Sequence, residues 1–195
     1  VSADVAIIGG GLAGCECAWQ LSRLGVKSVV FEMKPDKFSP AHTSENLAEL
    51  VCSNSFRSIE PHTAVGLLKL EMRGCGSLVM RAADATKVPA GQALAVDREL
   101  FSGLVTKSME ECPEITVERR EILSLNDPDL ADFSRVVLAV GPLAGDSLAA
   151  SLREIVGQER LFFYDAIAPI VDKDSVDMDK AFWASRYRAG PGDYL

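Results

Sequence analysis

Histidine is scarce in this chain, basic charge is in deficit, and the cysteines form no recognisable pairing pattern; each shortage removes a class of function. The two histidines, His42 and His62, are too few for a histidine-built metal site and offer little general-base chemistry. The five cysteines, Cys15, Cys17, Cys52, Cys75 and Cys112, are odd in number, irregularly spaced and without a Cys-x-x-Cys pair. That excludes a disulfide framework and a zinc centre from expectation and points to a reducing, cytoplasmic setting. Lysine and arginine total 20 against 28 acidic residues, a formal net charge of −8. Phosphate neutralisation drives non-specific nucleic-acid binding, so the segment as a whole is disfavoured for it, although a local basic face is not. No run approaches the roughly 20 apolar residues of a membrane helix. The N-terminus enters an apolar strand at once, without a basic region or cleavage site, so no signal peptide is expected.

What is present is enough apolar residue for a folded core: 48% hydrophobic and 25% charged in 195 residues. That length suits one sizeable core and the beginning of a second unit. The most informative stretch is Val5 to Gly14, Val-Ala-Ile-Ile-Gly-Gly-Gly-Leu-Ala-Gly, answered by Val29-Val30-Phe31-Glu32 after a helix-length gap. A strand, a Gly-x-Gly-x-x-Gly turn, a helix and a second strand ending in an acid form a dinucleotide-binding pattern. Gly9 permits the tight turn, Gly11 the approach of backbone to a pyrophosphate, and Gly14 close packing of helix on strand. The turn Gly9-Gly10-Gly11-Leu12-Ala13-Gly14 and Glu32, placed to accept ribose hydroxyls, are therefore the candidate cofactor-binding residues. An acid at this position disfavours a 2′-phosphate.

Along the chain, the pattern predicts strands at Val5–Ile8, Lys27–Glu32, Ala93–Val96, Ile115–Ile122 and Val136–Val140, the last as a buried strand ending at Gly141. It predicts helices over Leu12–Leu24, with Ala13, Cys17, Ala18 and Leu21 on the apolar stripe, and from Pro61, with Val65, Leu68 and Met72 facing inward. Another resumes near Ser77, one runs from an Asp97 cap through Glu111, and one spans Asp146–Val156 with Gly157 closing it. Cys52 to Ser55 reads as a loop of small polar residues. Leu161–Tyr164 and Ala166–Val171 read as further strands. Alternation of strands and helices implies an α/β, doubly wound parallel sheet with flanking helices. The expected organisation is a Rossmann-like domain over residues 1–157 and the start of a second, insertion-type domain over 158–195, cut off partway through an element.

Several blocks resemble the folate- and FAD-dependent tRNA (uracil-5-)-methyltransferase family, once called Gid-type proteins. They are Ile8 to Gly14 with Glu32-Met33, Leu47-Ala48-Glu49-Leu50-Val51-Cys52-Ser53-Asn54-Ser55, Ala64 to Lys69, Arg81-Ala82-Ala83-Asp84-Ala85-Thr86, Val88 to Gly91, Leu94 to Arg98, and Phe163 to Val171. The glycine turn is common to many flavoproteins; the Val-Cys-Ser-Asn-Ser and Arg-Ala-Ala-Asp-Ala-Thr blocks are far more specific. The resemblance implies a Rossmann-like FAD-binding fold and transfer of a one-carbon unit from 5,10-methylenetetrahydrofolate to C5 of a uridine in the tRNA T-loop. FAD takes part directly, NAD(P)H supplies electrons, tRNA is the macromolecular partner, and neither metal nor membrane is involved. It marks Cys52 as the catalytic cysteine and Gly141 as a further cofactor contact through backbone; analogy with other flavoprotein folds adds Val117, on a later strand, as a candidate for backbone contact with the adenine. The family's Ala-Thr-Gly near the flavin is here Ala139-Val140-Gly141. Its second functional cysteine, in an Asn-Cys-Pro block, falls after Leu195, so this chain is expected to be an N-terminal part without turnover of its own.

Cys52 suits the chemistry that this family implies. Uracil C5 is a poor nucleophile until a thiolate adds to C6, and a thiolate also leaves again by elimination. Arg57 lies close in sequence as a candidate positive neighbour. The competing fate of Cys52 is a small buried hydrophobe. Cys15 and Cys17, in the first turns of a helix, read as structural. Arg81, Lys87 and Arg98 are candidates for phosphate contact, or solvated surface. Two other functions fit less of the sequence: a related FAD-dependent enzyme acting on the wobble uridine, which shares Gly14-Cys15-Glu16, and a flavin-binding module without catalysis.

Overall fold

The computed structural model describes residues 3–156 and 173–182. Gly157 and the strands expected at Leu161–Tyr164 and Ala166–Val171 lie outside them, as does most of the domain expected over 158–195. Within the described residues the chain forms two units, one of residues 3–49 with 102–156 and the other of residues 50–101 with 173–182. No boundary inside residues 1–157 is marked in the sequence, yet the chain leaves the first unit at Glu49 and returns at Ser102.

The first unit is a parallel sheet. Its strands are β1 (Val5–Ile8), β2 (Ser28–Phe31), β6 (Ile115–Glu118) and β7 (Arg135–Leu138), in the order β6-β2-β1-β7. Val5 pairs with Ser28 on one side and Arg135 on the other, and Ile8 with Phe31 and Leu138. Every residue of β1 is buried, as expected of a central parallel strand covered on both faces. Alternation sends Ala6, Ile8 and Phe31 to one face, where they meet Ile122, Leu130, Leu148 and Leu152. The last two come from helix α5 (Asp146–Val156). Ile7 and Val30 point the other way, and α1 (Leu12–Arg23) packs along β1 and β2. Its buried stripe is Gly14, Cys15 and Ala18, rotated from the predicted one because Gly14 brings that side of the helix against the turn.

β7 differs from expectation. Among the described strands it lies at an edge, with Val136 and Leu138 about 40% exposed, although its apolar run reads as buried.

The second unit carries a three-stranded antiparallel sheet, ordered β3-β5-β4, from β3 (Ser55–Ser58), β4 (Lys87–Val88) and β5 (Ala93–Val96). The described strands therefore divide between a parallel and an antiparallel sheet. β3 begins inside the stretch read as loop; its pairing with β5 is irregular, and Arg57 there has a left-handed backbone with φ of 65°. Helices α2 (Ala64–Gly74) and α3 (Leu78–Ala85) are capped by Thr63 and Ser77, whose hydroxyls accept the Gly66 and Met80 N–H groups.

The expected inner face of α2 is corrected at Leu68, which is exposed like Leu67 and Leu70; Val65 and Met72 are half-buried, and Gly66 and Lys69 are buried. The Lys69 ammonium donates to the Ser58 and Val65 carbonyls at 3.1 and 3.0 Å. Backbone oxygens thus meet its charged head, a pairing that a hydrophobicity pattern does not show. Asp97 caps α4 (Arg98–Glu110) through the Leu100 N–H, as its sequence position predicts. No helix among the described residues is long and apolar enough to cross a membrane.

Candidate functional site

The glycine turn lies where β1 ends between β2 and β7, the point at which strand order reverses and α/β sheets open a crevice. Gly9 has φ of +106°, and a Cβ there would stand 2.6 Å from the Ala139 carbonyl oxygen. Its N–H donates to the Phe31 carbonyl at 2.8 Å, and the Ala139 N–H donates to that of Ile8 at 2.8 Å. Backbone from three strands thus meets at one point, which a side chain would force apart. A Cβ on Gly14 would collide with the Gly9 carbonyl oxygen, so Gly14 sets the distance between helix and turn.

Gly11 is the opposite case. A Cβ there has no heavy atom within 4 Å, and Gly11 caps α1 without a side-chain hydrogen bond or an acid in the first turn. The N–H groups of Leu12, Ala13 and Gly14 have no intrahelical acceptor at this end. Together with the positive end of the helix dipole they face open space suited to an anion.

Gly10 is held on both polar groups. Its N–H donates to Glu32 Oε2 at 2.7 Å, while its carbonyl accepts the Ala48 N–H at 2.8 Å and the Cys15 thiol at 3.3 Å. Glu32 Oε1 accepts the Lys34 N–H at 3.0 Å. A carboxylate has about four acceptor positions, so two remain for hydroxyl donors. Burial, reinforced by the charge of Glu32, pushes the Cys15 thiol up to about 12, which keeps it a proton donor to Gly10 and agrees with a structural role. Burial likewise raises Cys17.

Val117 lies in register with Val30 on the outer strand β6. The Ser28 and Glu32 N–H groups donate to the Glu114 and Glu118 carbonyls, so alternation turns the backbone groups of Val117 toward the open edge. Gly141, with φ of +63° and nothing within 4 Å of a Cβ, opens the turn after β7.

Cys52 belongs to the second unit and is exposed. Next to it, Asn54 is tied to β5: its side-chain amide donates to the Val96 carbonyl at 3.1 Å, and its own carbonyl accepts the Val96 N–H at 2.9 Å. That anchor leaves Cys52 and Ser53 on the surface. Arg81 and Lys87 are exposed and Arg98 is half-buried, all in the second unit. Among the described residues no cluster of His, Cys, Asp or Glu is placed to hold a metal ion.

Sequence reasoning missed Lys34, Ala48 and Glu49 as parts of the site. Lys34 stands two residues after Glu32, a signal that was available. Glu49 carries none, because its contacts come from the folding back of residues 43–49.

The family described as glucose inhibited division protein A matches residues 4–195. A methylenetetrahydrofolate–tRNA-(uracil-5-)-methyltransferase TrmFO of Oleidesulfovibrio alaskensis is 62% identical over 192 residues, covering 98% of this chain and 43% of that protein. The TrmFO of Geobacter sulfurreducens is 57% identical over 189 residues, covering 97% of this chain and 42% of that protein. The chain thus spans less than half the length of these curated relatives. Among solved structures, Aquifex aeolicus GidA superposes with a TM-score of 0.55 at 19% identity, over 71% of this chain and 25% of that one, a likeness of fold. With a glycine turn at the switch point of a parallel sheet and a sequence match that runs through both units, the chain belongs to the glucose inhibited division protein A family.

Proposed function

We propose that this chain is the dinucleotide-binding part of a flavoprotein that transfers a one-carbon unit from 5,10-methylenetetrahydrofolate to C5 of a T-loop uridine in tRNA, in the cytoplasm, with residues 158–195 beginning a second domain. The observation that carries it is the open N-terminus of α1 at Gly11, without a side-chain cap, beside the buried Glu32. The 62% identity to a protein named for that reaction supports the substrate class.

The residues fit FAD. The N–H groups of Gly11, Leu12, Ala13 and Gly14 receive its pyrophosphate. Glu32 offers its two remaining acceptor positions to the ribose hydroxyls, Val117 its backbone to the adenine, and Gly141 a close backbone approach toward the flavin end. Gly9 and Gly10 shape the turn. FAD, when bound, supplies the redox chemistry that brings the one-carbon unit to the methyl level, with NAD(P)H as the reductant.

Cys52 acts on the uracil. Its thiolate forms a bond to C6, the C5–C6 π electrons move onto C5 and the O4 carbonyl, and C5 bonds to the one-carbon unit as the electron pair of that carbon's bond to its donor passes to the donor nitrogen. Loss of the C5 proton then expels the sulfur and restores the ring.

Cys52→Ala in a protein of the relatives' full length tests this. The expected result is loss of methyl transfer with FAD still bound, because removal of an exposed loop thiol costs little stability. Normal methylation by that variant returns Cys52 to a structural role, and methylation only at the wobble position would favour the related enzyme class.

A further inference from the structure

The segment from Lys34 to Glu49 is pinned at several points, and two of its backbone N–H groups end on the glycine turn and its acid. The Lys34 ammonium, 4% exposed, donates to the Asn46 carbonyl at 2.6 Å and lies 3.3 Å from Glu49 Oε2. Glu49 Oε1 accepts the Thr43 N–H at 2.9 Å, the Thr43 hydroxyl at 3.1 Å and the Ser44 N–H at 3.1 Å. The Leu47 N–H donates to the Thr106 hydroxyl at 2.9 Å, and Arg119 donates to the Lys34 and Glu45 carbonyls at 3.3 and 2.9 Å. Between these anchors Ala48 is held at φ of 52°, a conformation an alanine keeps only when its surroundings impose it. Its N–H reaches the Gly10 carbonyl, while the Lys34 N–H reaches Glu32.

We propose that the pair of buried Lys34 and half-buried Glu49 is a positioning latch for the ribose end of the dinucleotide site, acting through the Ala48 and Lys34 backbone N–H groups that fix Gly10 and Glu32. The pair touches no ligand. Lys34 stands at one end of the pinned segment and Glu49 at the other. When the pair closes, both N–H groups are delivered to the residues that shape the ribose pocket: the Gly10 peptide plane is set, and Gly10 N–H with Lys34 N–H orient the Glu32 carboxylate between them. Preorganisation of this kind raises affinity by removing the ordering cost from the binding step. Lys34 Nζ is already committed to Asn46 and Glu49, so it is no cation for a 2′-phosphate, and the latch favours an unphosphorylated ribose.

The proposal rests on FAD binding at this turn. Its test is titration of the chain with FAD, ADP and 2′-deoxy-ADP, using Lys34→Met, Glu49→Gln, Lys34→Arg and Glu32→Gln. Lys34→Met and Glu49→Gln should weaken FAD and ADP by about 10-fold or more and shrink the preference for ADP over 2′-deoxy-ADP, as Glu32→Gln does. Lys34→Arg should restore both. The ribose preference is the readout that a purely structural role leaves in place, since a general loss of stability lowers both affinities alike. Wild-type affinity, or an unchanged ribose preference, in folded Lys34→Met or Glu49→Gln overturns the latch while leaving the site intact. Failure of the unsubstituted chain to bind FAD or ADP overturns the site itself, and the latch with it.

Discussion

Gly11 and Gly14 stand three residues apart on the same turn and answer to different demands. Gly14 is a packing residue: a Cβ there meets the Gly9 carbonyl oxygen, so Gly14→Ala should lower stability by about 1–3 kcal/mol, read as a fall in Tm before any ligand is added. Gly11 faces open space, and Gly11→Ala should cost the free protein less than about 1 kcal/mol as a changed N-cap. It should still weaken FAD by about tenfold or more, since the methyl occupies the closest approach to the pyrophosphate. Equal effects of the two substitutions on Tm and on FAD affinity would contradict this division of roles.

At the scale of elements, two contacts bear measurably on stability. Thr63 caps α2 by accepting the Gly66 N–H at 3.1 Å and donates to the Glu60 carbonyl at 2.8 Å. Thr63→Ala should therefore cost about 1 kcal/mol, with Thr63→Ser recovering most of it in thermal unfolding. In the Lys34–Glu49 segment, burial raises the Glu49 carboxyl, but the Thr43 N–H, the Lys34 charge and the Ser44 N–H outweigh it and hold the group below the usual carboxylate range. A carboxyl depressed on folding adds stability above its unfolded value, near pH 4.3, and loses it as pH falls through the lower folded value. The wild-type chain should lose stability on acidification below about pH 5, and Glu49→Gln should lessen that loss, as measured by denaturant unfolding at a series of pH values. An unchanged pH slope in Glu49→Gln would remove Glu49 from the acid response.

At the scale of the molecule, the two units carry different parts of the proposed chemistry: the glycine turn and Glu32 lie in one, Cys52 in the other. Ligand binding to the native state stabilises by mass action, so FAD at about 100 times its Kd should raise stability by about 2.7 kcal/mol and Tm by about 5–10 °C. No shift at saturating FAD would argue against retention of the dinucleotide site in a chain of this length.

The sequence by itself determined the first unit's centre. Val5–Ile8, the glycine spacing, the helix behind it and Glu32 are local signals, because strand alternation, turn geometry and helix capping act within a few residues. The Thr63, Ser77 and Asp97 caps belong with those short-range signals in physical origin, and Asp97 is directly legible in the sequence. Tertiary structure decided whatever depends on partners far along the chain. The apolar run of β7 does not reveal that it lies at an edge of the described sheet. Nothing in Cys52 to Ser58 announces a strand, since β3 exists through pairing with β5 some 40 residues away. Lys69 is buried because two carbonyls meet its ammonium, and Glu49 joins the site because residues 43–49 fold back onto Gly10. Local sequence fixes which backbone conformations are cheap; the burial of a charge or a strand edge is fixed only when distant segments supply its partners.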